Sequence, residues 1–273
     1  MNLYRGCTHG CIYCDARSTC YQMDHAFEDI EVKSNAAELL EKALKSKRKK
    51  CMIGTGAMSD PYNPLEQKLG LTRHALELLS AYGFGVAVDT KSDLVSRDAD
   101  VLAEIAAQMP ALVKFSITTA DPDLAARLEP GAPSPERRFA AMEQLAKAGV
   151  FTGLLLMPVL PGLTDNRENL SRLLRQTAEA GGRFCYCWPG LTMREGQREY
   201  FYQALDREFP GLREKYEKRY GTRYRCTVPG AAKLYAWVRE ECSRLGLLSE
   251  MEAIIAVSRQ VSCKSFKTAF PVL

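Results

Sequence analysis

Three cysteines near the start of the chain, Cys7, Cys11 and Cys14, constrain its fold and chemistry more than any other feature. They are separated by three and then two residues, so three thiolates can wrap one corner of a cubic iron–sulfur cluster. Complete ligation by protein needs four cysteines, and this spacing therefore leaves one iron open to another ligand. Gly6 and Gly10 permit the tight turns with positive φ that bring the sulfur atoms together.

A zinc site is the alternative interpretation of this loop. Zinc also binds three cysteines and one histidine, and His9 lies between the first two cysteines. Zinc-binding sequences, however, usually contain two short cysteine pairs separated by a longer spacer, and no second CxxC follows in this chain. The remaining histidines, His25 and His74, do not complete a ligand set. The sequence therefore favours an iron–sulfur cluster over zinc.

The composition is typical of a globular protein: 46% of the 273 residues are hydrophobic and 26% are charged. No apolar run approaches the roughly 20 residues of a membrane span, and the N-terminus lacks the apolar core of a signal peptide. Ten cysteines without secretory features indicate metal binding and reduced thiols. We therefore expect a cytoplasmic protein without a membrane partner.

Apolar strands alternate with amphipathic helices through the first 190 residues. Strands are predicted at the end of residues 1–6 and at 51–53, 84–89, 112–117, 150–157 and 183–188. Helices are predicted at 36–44, 72–82, 98–108 and 134–148, and a fifth is predicted to begin at a capping box of Asp165 and Glu168. About six alternations of strand and helix indicate a parallel α/β architecture.

The pattern changes after Pro189 and Gly190, a turn dipeptide that follows the last predicted strand. Beyond residue 191 the periodicity predicts helices only, at 197–209, 211–220, 231–245 and 250–259. We therefore expect a first domain at residues 1–190 and a helical extension packed on it at residues 191–273.

The cysteine loop resembles the CxxxCxYC signature of the radical S-adenosylmethionine (SAM) enzymes, with Tyr13 as the aromatic residue before the last cysteine. The chain is more closely similar to the spore photoproduct lyase-like branch of that superfamily. The segments that carry this similarity are residues 2–18, 54–66, 90–98, 115–119 and 157–162.

The resemblance implies a partial (β/α)6 barrel, open on one side, with the active site at the carboxyl ends of its strands. It also implies a 4Fe–4S cluster held by Cys7, Cys11 and Cys14, whose open iron is chelated by the amino and carboxylate groups of SAM. An electron from a donor such as flavodoxin or ferredoxin would cleave SAM, and the resulting 5′-deoxyadenosyl radical would abstract a hydrogen atom from the substrate.

In such enzymes the residues that hold SAM come from successive strand ends. By resemblance, Tyr13 would lie over the adenine, Ser59 would bind the amino acid moiety or ribose, and Ser116 would contact the same groups. Lys91 would pair with the SAM carboxylate, for which an ammonium is a suitable partner.

Two interpretations remain open for Asp60, which precedes Pro61 and Tyr62. Its carboxylate would position the SAM amino group or a polar substrate, or it would cap a turn made rigid by proline.

Hydrogen return is where this chain departs from the lyase pattern. The lyase uses a cysteine before the SAM-contacting serine and a tyrosine next to the third cluster cysteine, and those positions here hold Ala57 and Asp15. The alternation of residues 184–187 places Cys185 and Cys187 on one face of a strand. If that face looks into the barrel, either thiol is a candidate hydrogen donor, and otherwise both fill the core. Without a donor, SAM is consumed as a co-substrate.

The leading hypothesis is a radical SAM enzyme that acts on a nucleic-acid base or a lesion within one. A peptide or small-metabolite substrate is the alternative within the same chemistry, and a non-catalytic iron–sulfur or zinc protein is the alternative from another class. Basic and aromatic residues at 198–202 and 213–225 suit nucleic acid, but such runs more often form a helical cap that packs on the barrel.

Overall fold

The structure, a computed structural model, describes residues 1–259 and confirms the α/β class. At its centre is a parallel sheet of five strands in the order β3-β4-β5-β6-β7. These strands are Met52–Thr55 (β3), Gly85–Thr90 (β4), Ala111–Ser116 (β5), Phe151–Leu156 (β6) and Phe184–Cys187 (β7). Strand β6 is buried at all six positions, as expected for a strand covered on both faces.

Helices connect the strands and cover the outer face of the sheet. They are Ala36–Ser46 (α1), Glu66–Leu69 (α2), Leu71–Ala81 (α3), Ala99–Gln108 (α4), Pro122–Leu128 (α5), Pro135–Lys147 (α6) and Arg167–Glu179 (α7). Among the described residues, no helix is long and apolar enough to cross a membrane.

The N-terminal strand lies outside the central sheet. Tyr4–Arg5 (β1) pairs antiparallel with Glu31–Val32 (β2) in a separate sheet of two strands. Of the six predicted strands, the central sheet therefore contains five. The reason is local: only two residues are extended before Gly6, at φ +89°, turns the chain into the cysteine loop.

The C-terminal extension contains more than helices. Its helices are Gln197–Glu208 (α8), Leu212–Tyr220 (α9) and Ala231–Arg244 (α10), with further helical residues at 251–259. The prediction of helices only was wrong, because Gly190–Thr192 (β8) pairs antiparallel with Arg225–Thr227 (β9). Strands of three residues are too short for periodicity to reveal.

The extension packs on the rest of the fold at three places. Helix α10 contacts α7 and β7, and its Val238 and Cys242 belong to the main apolar core. Helices α8 and α9 form a second apolar cluster together with the cysteine loop. Ile254 joins an apolar cluster with Phe151 and Phe184 of the central sheet. The division of the chain at residue 190 stays a prediction, and residues 260–273 lie outside the described part.

Two predicted helix starts differ in outcome. The Ser134 side chain accepts a hydrogen bond from the backbone N–H of Arg137 at 3.4 Å, which confirms the N-cap of α6. The capping box of Asp165 and Glu168 was wrong, because Asn166 caps α7 by accepting from the N–H of Asn169 at 2.8 Å. The helix simply begins one residue later than its acidic pattern indicated.

Candidate active site

A cavity of about 610 Å³ opens at the carboxyl ends of the five parallel strands. It brings together residues that are far apart in sequence, from Cys7 to Arg225. The cysteine loop and the ends of β3, β4 and β5 form one side, which we call the cysteine wall. The other side, which we call the aromatic wall, is lined by Met157, Tyr186, Trp188, Leu191, Tyr224 and Arg225.

The predicted site residues of the cysteine wall meet in this cavity. The residues are Cys7, Cys11, Tyr13, Cys14, Ser59, Asp60, Lys91 and Ser116. They come from four separate parts of the chain that parallel strand ends bring to one edge of the sheet. Their placement agrees with the predicted arrangement, and their individual roles stay predictions.

The cysteine loop takes its shape from the two predicted glycines. Gly6 and Gly10 adopt φ values of +89° and +64°, which side chains with a Cβ rarely adopt. A Cβ on Gly6 would also lie 2.6 Å from the carbonyl oxygen of Phe27, which accepts a hydrogen bond from the N–H of Cys7 at 2.9 Å. The loop therefore cannot close in this form without glycine at residue 6.

A turn at residues 128–131 supports the loop from below. The N–H of Ile12 donates to the carbonyl of Leu128 at 3.0 Å, and the N–H of Gly131 donates to the carbonyl of His9 at 2.9 Å. A Cβ on Gly131 would lie 2.2 Å from the carbonyl oxygen of Thr8. The turn and the cysteine loop thus contact each other through their backbones, and these contacts fix the position of the loop.

Glu129 within this turn is a site residue that sequence reasoning missed. Its carboxylate accepts hydrogen bonds from the Tyr13 hydroxyl and from Thr118 Oγ1, and it pairs with Arg138 at 2.5 Å. Both members of the ion pair are 1% exposed. Arg138 also donates to the carbonyl of Ser116 at 2.9 Å. One buried ion pair therefore holds residues of the cysteine loop and of β5 together.

Lys91 follows β4, and its ammonium lies 5.6 Å from the centre of the Tyr13 ring. Burial opposes its positive charge, but Cys11 and the Glu129 carboxylate outweigh that effect and raise its pKa. Lys91 is therefore charged at neutral pH and faces the cavity, where it can pair with an anion.

Asp60 is held by the protein itself. Its carboxylate accepts from Thr90 Oγ1 and from the N–H of Lys91, both at 2.7 Å, and from the N–H of Tyr62 at 2.9 Å. His9 Nδ1 lies 3.4 Å away, and burial lowers the pKa of His9. These contacts are those of the turn-capping interpretation, and they tie the loop after β3 to the end of β4.

Ser59 and Gly56 bring the loop after β3 close to its neighbours. The Ser59 hydroxyl donates to the carbonyl of Gly6 and so reaches the cysteine loop. Gly56 has φ +97°, and a Cβ there would lie 1.9 Å from the carbonyl oxygen of Asp89. The glycine therefore permits the loop after β3 to approach the backbone at the end of β4 closely.

The three thiols fit a shared metal cluster chemically. All of them line the cavity, and the charge on Cys14 adds to burial in raising the pKa of both Cys7 and Cys11. Burial is the largest effect: it raises the pKa of Cys7 to about 11 and also raises those of Cys11 and Cys14. Metal binding must displace these protons, so the affinity of the three thiols for the metal should increase with pH. Within residues 1–259, no three His, Cys, Asp or Glu side chains form a site for a single metal ion.

The aromatic wall is more open. Tyr224 is 44% exposed and Met157 is 36% exposed, whereas Tyr13 on the cysteine wall is 5% exposed. In the described part of the chain, the side chains of Tyr186 and Trp188 make no hydrogen bond. This wall offers ring faces and one cation, Arg225, to a molecule in the cavity.

Asp15 joins the two walls. It accepts from Thr192 Oγ1 at 2.9 Å and from the Tyr21 hydroxyl at 3.3 Å, and Arg194 lies 3.3 Å away. Arg194 in turn donates to the Tyr224 hydroxyl at 3.0 Å. The chain of contacts closes the rim of the cavity between the cysteine loop and β8.

Cys185 and Cys187 do not face the cavity. They are 0% and 7% exposed and belong to the core between the sheet and the helices, where Cys185 contacts Cys242. The opposite face of β7 presents Tyr186 to the cavity instead. The interpretation of the two thiols as hydrogen donors was therefore wrong: alternation put them on one face, but helix α10 covers that face.

Ala57 and Asp15, the positions that depart from the lyase pattern, both line the cavity. Among the described residues that line it, the only thiols are those of Cys7, Cys11 and Cys14.

The curated relatives of the chain carry no assigned activity in their names. An uncharacterized protein of Mycobacterium tuberculosis is 35% identical over 228 residues, which are 81% of this chain and 66% of the relative. An uncharacterized protein of Methanocaldococcus jannaschii is 32% identical over 167 residues, covering 60% of this chain and 61% of the relative. The chain thus spans slightly less than two thirds of the length of these relatives.

The fold is shared with spore photoproduct lyase. A solved structure of that lyase, complexed with dinucleoside spore photoproduct, has a TM-score of 0.70 at 18% identity and covers 90% of this chain and 74% of the lyase. A radical SAM methyltransferase from Kitasatospora setae, with cobalamin and a 4Fe–4S cluster bound, has a TM-score of 0.56 at 13% identity and covers 98% of this chain and 60% of that chain. The family model of the radical SAM superfamily matches residues 1–174. The chain therefore belongs to the radical SAM superfamily, whose members use a 4Fe–4S cluster and SAM.

Proposed function

We propose that the protein uses a 4Fe–4S cluster, held by Cys7, Cys11 and Cys14, to cleave SAM and abstract a hydrogen atom from a nucleic-acid base. The observation that carries the proposal is the convergence of the three thiols with Lys91 and Ser116 in one cavity. When bound, the cluster would supply the electron that cleaves SAM. The 5′-deoxyadenosyl radical released by that cleavage would abstract the hydrogen atom.

The residues of the cysteine wall divide the work of holding SAM. Lys91 is charged and partly buried, so it suits the SAM carboxylate. Tyr13 presents its ring toward the cavity while Glu129 holds its hydroxyl, which suits the adenine. Ser59 already donates to the backbone and is left with acceptor capacity toward a ligand.

The aromatic wall supports a base as the substrate. Flat rings stack on Tyr and Trp side chains without regard to sequence, and Arg225 lies at the same wall to meet a phosphate. The lyase structure that shares this fold contains a dinucleoside. A peptide or small metabolite remains the second candidate, because the same rings accept any flat apolar group.

Hydrogen return distinguishes this protein from the lyase pattern. Ala57 has no S–H or O–H bond from which to donate a hydrogen atom, and the thiols of the cavity wall are those proposed to bind the cluster. We infer that SAM is a consumed co-substrate, with one 5′-deoxyadenosine released per product.

Anaerobic reconstitution with iron and sulfide tests the proposal. We expect broad visible absorbance, a reduced-cluster EPR signal that changes when SAM is added, and 5′-deoxyadenosine after reduction by dithionite, flavodoxin or ferredoxin. Oligonucleotides, peptides and small metabolites are then compared for deuterium transfer to deoxyadenosine. A colourless protein that binds zinc, or a cluster whose EPR signal does not change when SAM is added, would overturn the enzymatic assignment.

A further inference from the structure

Positive charge is concentrated in one short part of the C-terminal extension. Residues 213–233 contain seven Lys or Arg and two Glu, a net charge of +5, whereas the whole chain carries +4. The rest of the chain is therefore slightly acidic. Cations gathered in this way on one face form the electrostatic footprint of a polyanionic partner.

Most of these cations have no anionic partner among residues 1–259. Arg213 is the exception, since it pairs with Asp206 at 2.7 Å and with Glu217 at 2.8 Å. The others are exposed and form no ion pair with any described residue: Lys215, Lys218, Arg219, Arg223, Arg225 and Lys233. An external anion can therefore neutralise them without breaking an existing pair.

Helix α9 separates its aromatic and basic side chains. Tyr216 and Tyr220 are buried, and their hydroxyls donate to the carbonyls of Pro161 at 2.8 Å and Thr227 at 2.7 Å. Lys215, Lys218 and Arg219 have the i, i+3 and i+4 spacing of one helix face. The tyrosines thus anchor the helix on the barrel, while the cations remain on its outside.

These cations lie along a path that leads to the active site. Lys215, Lys218 and Arg219 line a groove of about 660 Å³ that also includes Pro161. The Tyr220 hydroxyl fixes this helix to one end of β9, and Arg225 at the other end of β9 lines the active-site cavity. The basic track, defined as Lys215, Lys218, Arg219 and Arg225, therefore runs from the groove to the aromatic wall.

We propose that the basic track binds the phosphates of a single-stranded nucleic acid whose base enters the cavity. The inference rests on the proposed function, because it assigns the surface that would hold the substrate strand. Repeated exposed cations match a repeated phosphate charge, and stacking on the aromatic wall then holds the base. An acidic protein also offers anions, but its folded surface cannot enter the cavity to which the track leads.

The test compares two variants that remove the same charges at different places. The track variant is Lys215→Gln, Lys218→Gln, Arg219→Gln. The control variant, Lys47→Gln, Arg48→Gln, Lys49→Gln, removes two lysines and one arginine that are exposed and unpaired near the end of α1. Binding of a labelled single-stranded oligonucleotide to the reconstituted proteins is measured by fluorescence anisotropy across a range of salt concentrations.

Affinity for the strand falls as salt rises, and losing three phosphate contacts should make this dependence on log salt less steep by about 2. Near 0.1 M salt this corresponds to an affinity about 100-fold weaker than that of the wild type. We expect this loss in the track variant and wild-type binding in the control. Equal losses in both variants would overturn the inference, since net charge alone would then explain binding, and so would a wild-type protein that binds no oligonucleotide.

Parallel assays separate this inference from the proposed function. Substrate-free cleavage of SAM with dithionite should be the same in the track variant and in the wild type, because the track lies outside the cysteine wall. If SAM is cleaved but the wild type binds no strand, the surface assignment fails while the radical chemistry stands. If strand binding is normal and only reduction by flavodoxin is lost, the track binds an acidic protein instead, which also overturns the inference.

Discussion

The cysteine wall and the aromatic wall of the cavity differ in how far the protein satisfies its own side chains. On the cysteine wall, the carboxylates of Asp60 and Glu129 are fully engaged in buried hydrogen bonds and ion pairs. On the aromatic wall, the side chains of Tyr186 and Trp188 make no hydrogen bond with any described residue, and Tyr224 is 44% exposed. The first wall is therefore fixed before any ligand arrives, and the second can adapt to what enters.

The difference matches the geometric demands of the two ligands, the cofactor and the substrate. A cluster and its bound cofactor react only in one geometry, so the groups that hold them are preorganised by a buried network. A substrate wall made of ring faces orients a ligand by stacking and tolerates variation in its shape. Substitutions on the two walls and in the core should therefore have different effects.

The largest effect should come from the cysteine loop. Replacing Cys7, Cys11 and Cys14 together with Ala should abolish iron binding and SAM cleavage, because no other protein ligand is proposed for the cluster. Iron content, visible absorbance and 5′-deoxyadenosine are the measurements. The control is Cys20→Ala, Cys51→Ala, which removes two exposed thiols and should keep the cluster. A full cluster in the triple variant would show that other cysteines are the ligands.

Glu129→Gln should destabilise the protein by about 3 to 5 kcal/mol, because it leaves the buried charge of Arg138 without its partner. Urea unfolding measures the loss of unfolding free energy. The control is Glu143→Gln, which breaks an exposed ion pair with Lys147 and should lower that free energy by less than about 1 kcal/mol. Despite burial, Arg138 lowers the pKa of Glu129. The difference between wild type and variant should therefore persist at neutral pH and disappear only in acid, below the ordinary pKa of a glutamate. Equal costs at both sites would refute a preorganised cysteine wall.

Lys91→Ala should weaken SAM binding by about tenfold to a hundredfold, the cost of one charge-assisted contact of roughly 1.5 to 3 kcal/mol. Calorimetry of the reconstituted protein measures the affinity, and Lys68→Ala, at an exposed lysine, serves as the control. Unchanged affinity accompanied by a large loss of stability would make Lys91 a structural residue.

Tyr224→Ala should weaken oligonucleotide binding by roughly 1 to 3 kcal/mol through the loss of one stacking surface. Tyr224→Phe keeps the ring and loses only the hydrogen bond from Arg194, so it should bind nearly as well as the wild type. If the Phe variant binds as poorly as the Ala variant, the hydroxyl and not the ring is what matters on this wall.

The smallest effect should come from β7. Cys185→Ala, Cys187→Ala should leave the ratio of 5′-deoxyadenosine to product near one, because both thiols face helix α10 and not the cavity. Stability should fall by about 1 kcal/mol per site from the lost packing. Product formation that stops in a folded double variant, or many products per deoxyadenosine in the wild type, would contradict the consumption of SAM.

Local chemistry made the cysteine wall predictable. The spacing of the cysteines, the glycines at residues 6 and 10 and the serine cap at residue 134 each depend on near neighbours in the chain. The resemblance to radical SAM enzymes singled out Ser59, Lys91 and Ser116, and parallel strand ends explain why these residues lie at one edge of the sheet.

The parts that were missed depend on distant contacts. Glu129 meets Tyr13 across 116 residues of sequence, and nothing near Glu129 marks it as a site residue. Alternation placed Cys185 and Cys187 on one face, but only the packing of α10 decides which face looks into the cavity. The pairing of β8 with β9 spans more than thirty residues and three ladder positions, too few to leave a period in the sequence.

The turn at residues 128–131 also sets an order for biosynthesis. The cysteine loop leaves the ribosome before its partners do: Leu128 follows Ile12 by more than a hundred residues, and Gln197, which donates to the carbonyl of Tyr13, follows it by 184 residues. A nascent chain therefore carries three thiols that no structure yet holds in place. Cluster insertion that requires the folded loop must wait until the turn at residues 128–131 and Gln197 have been translated, and until then the thiols are open to oxidation.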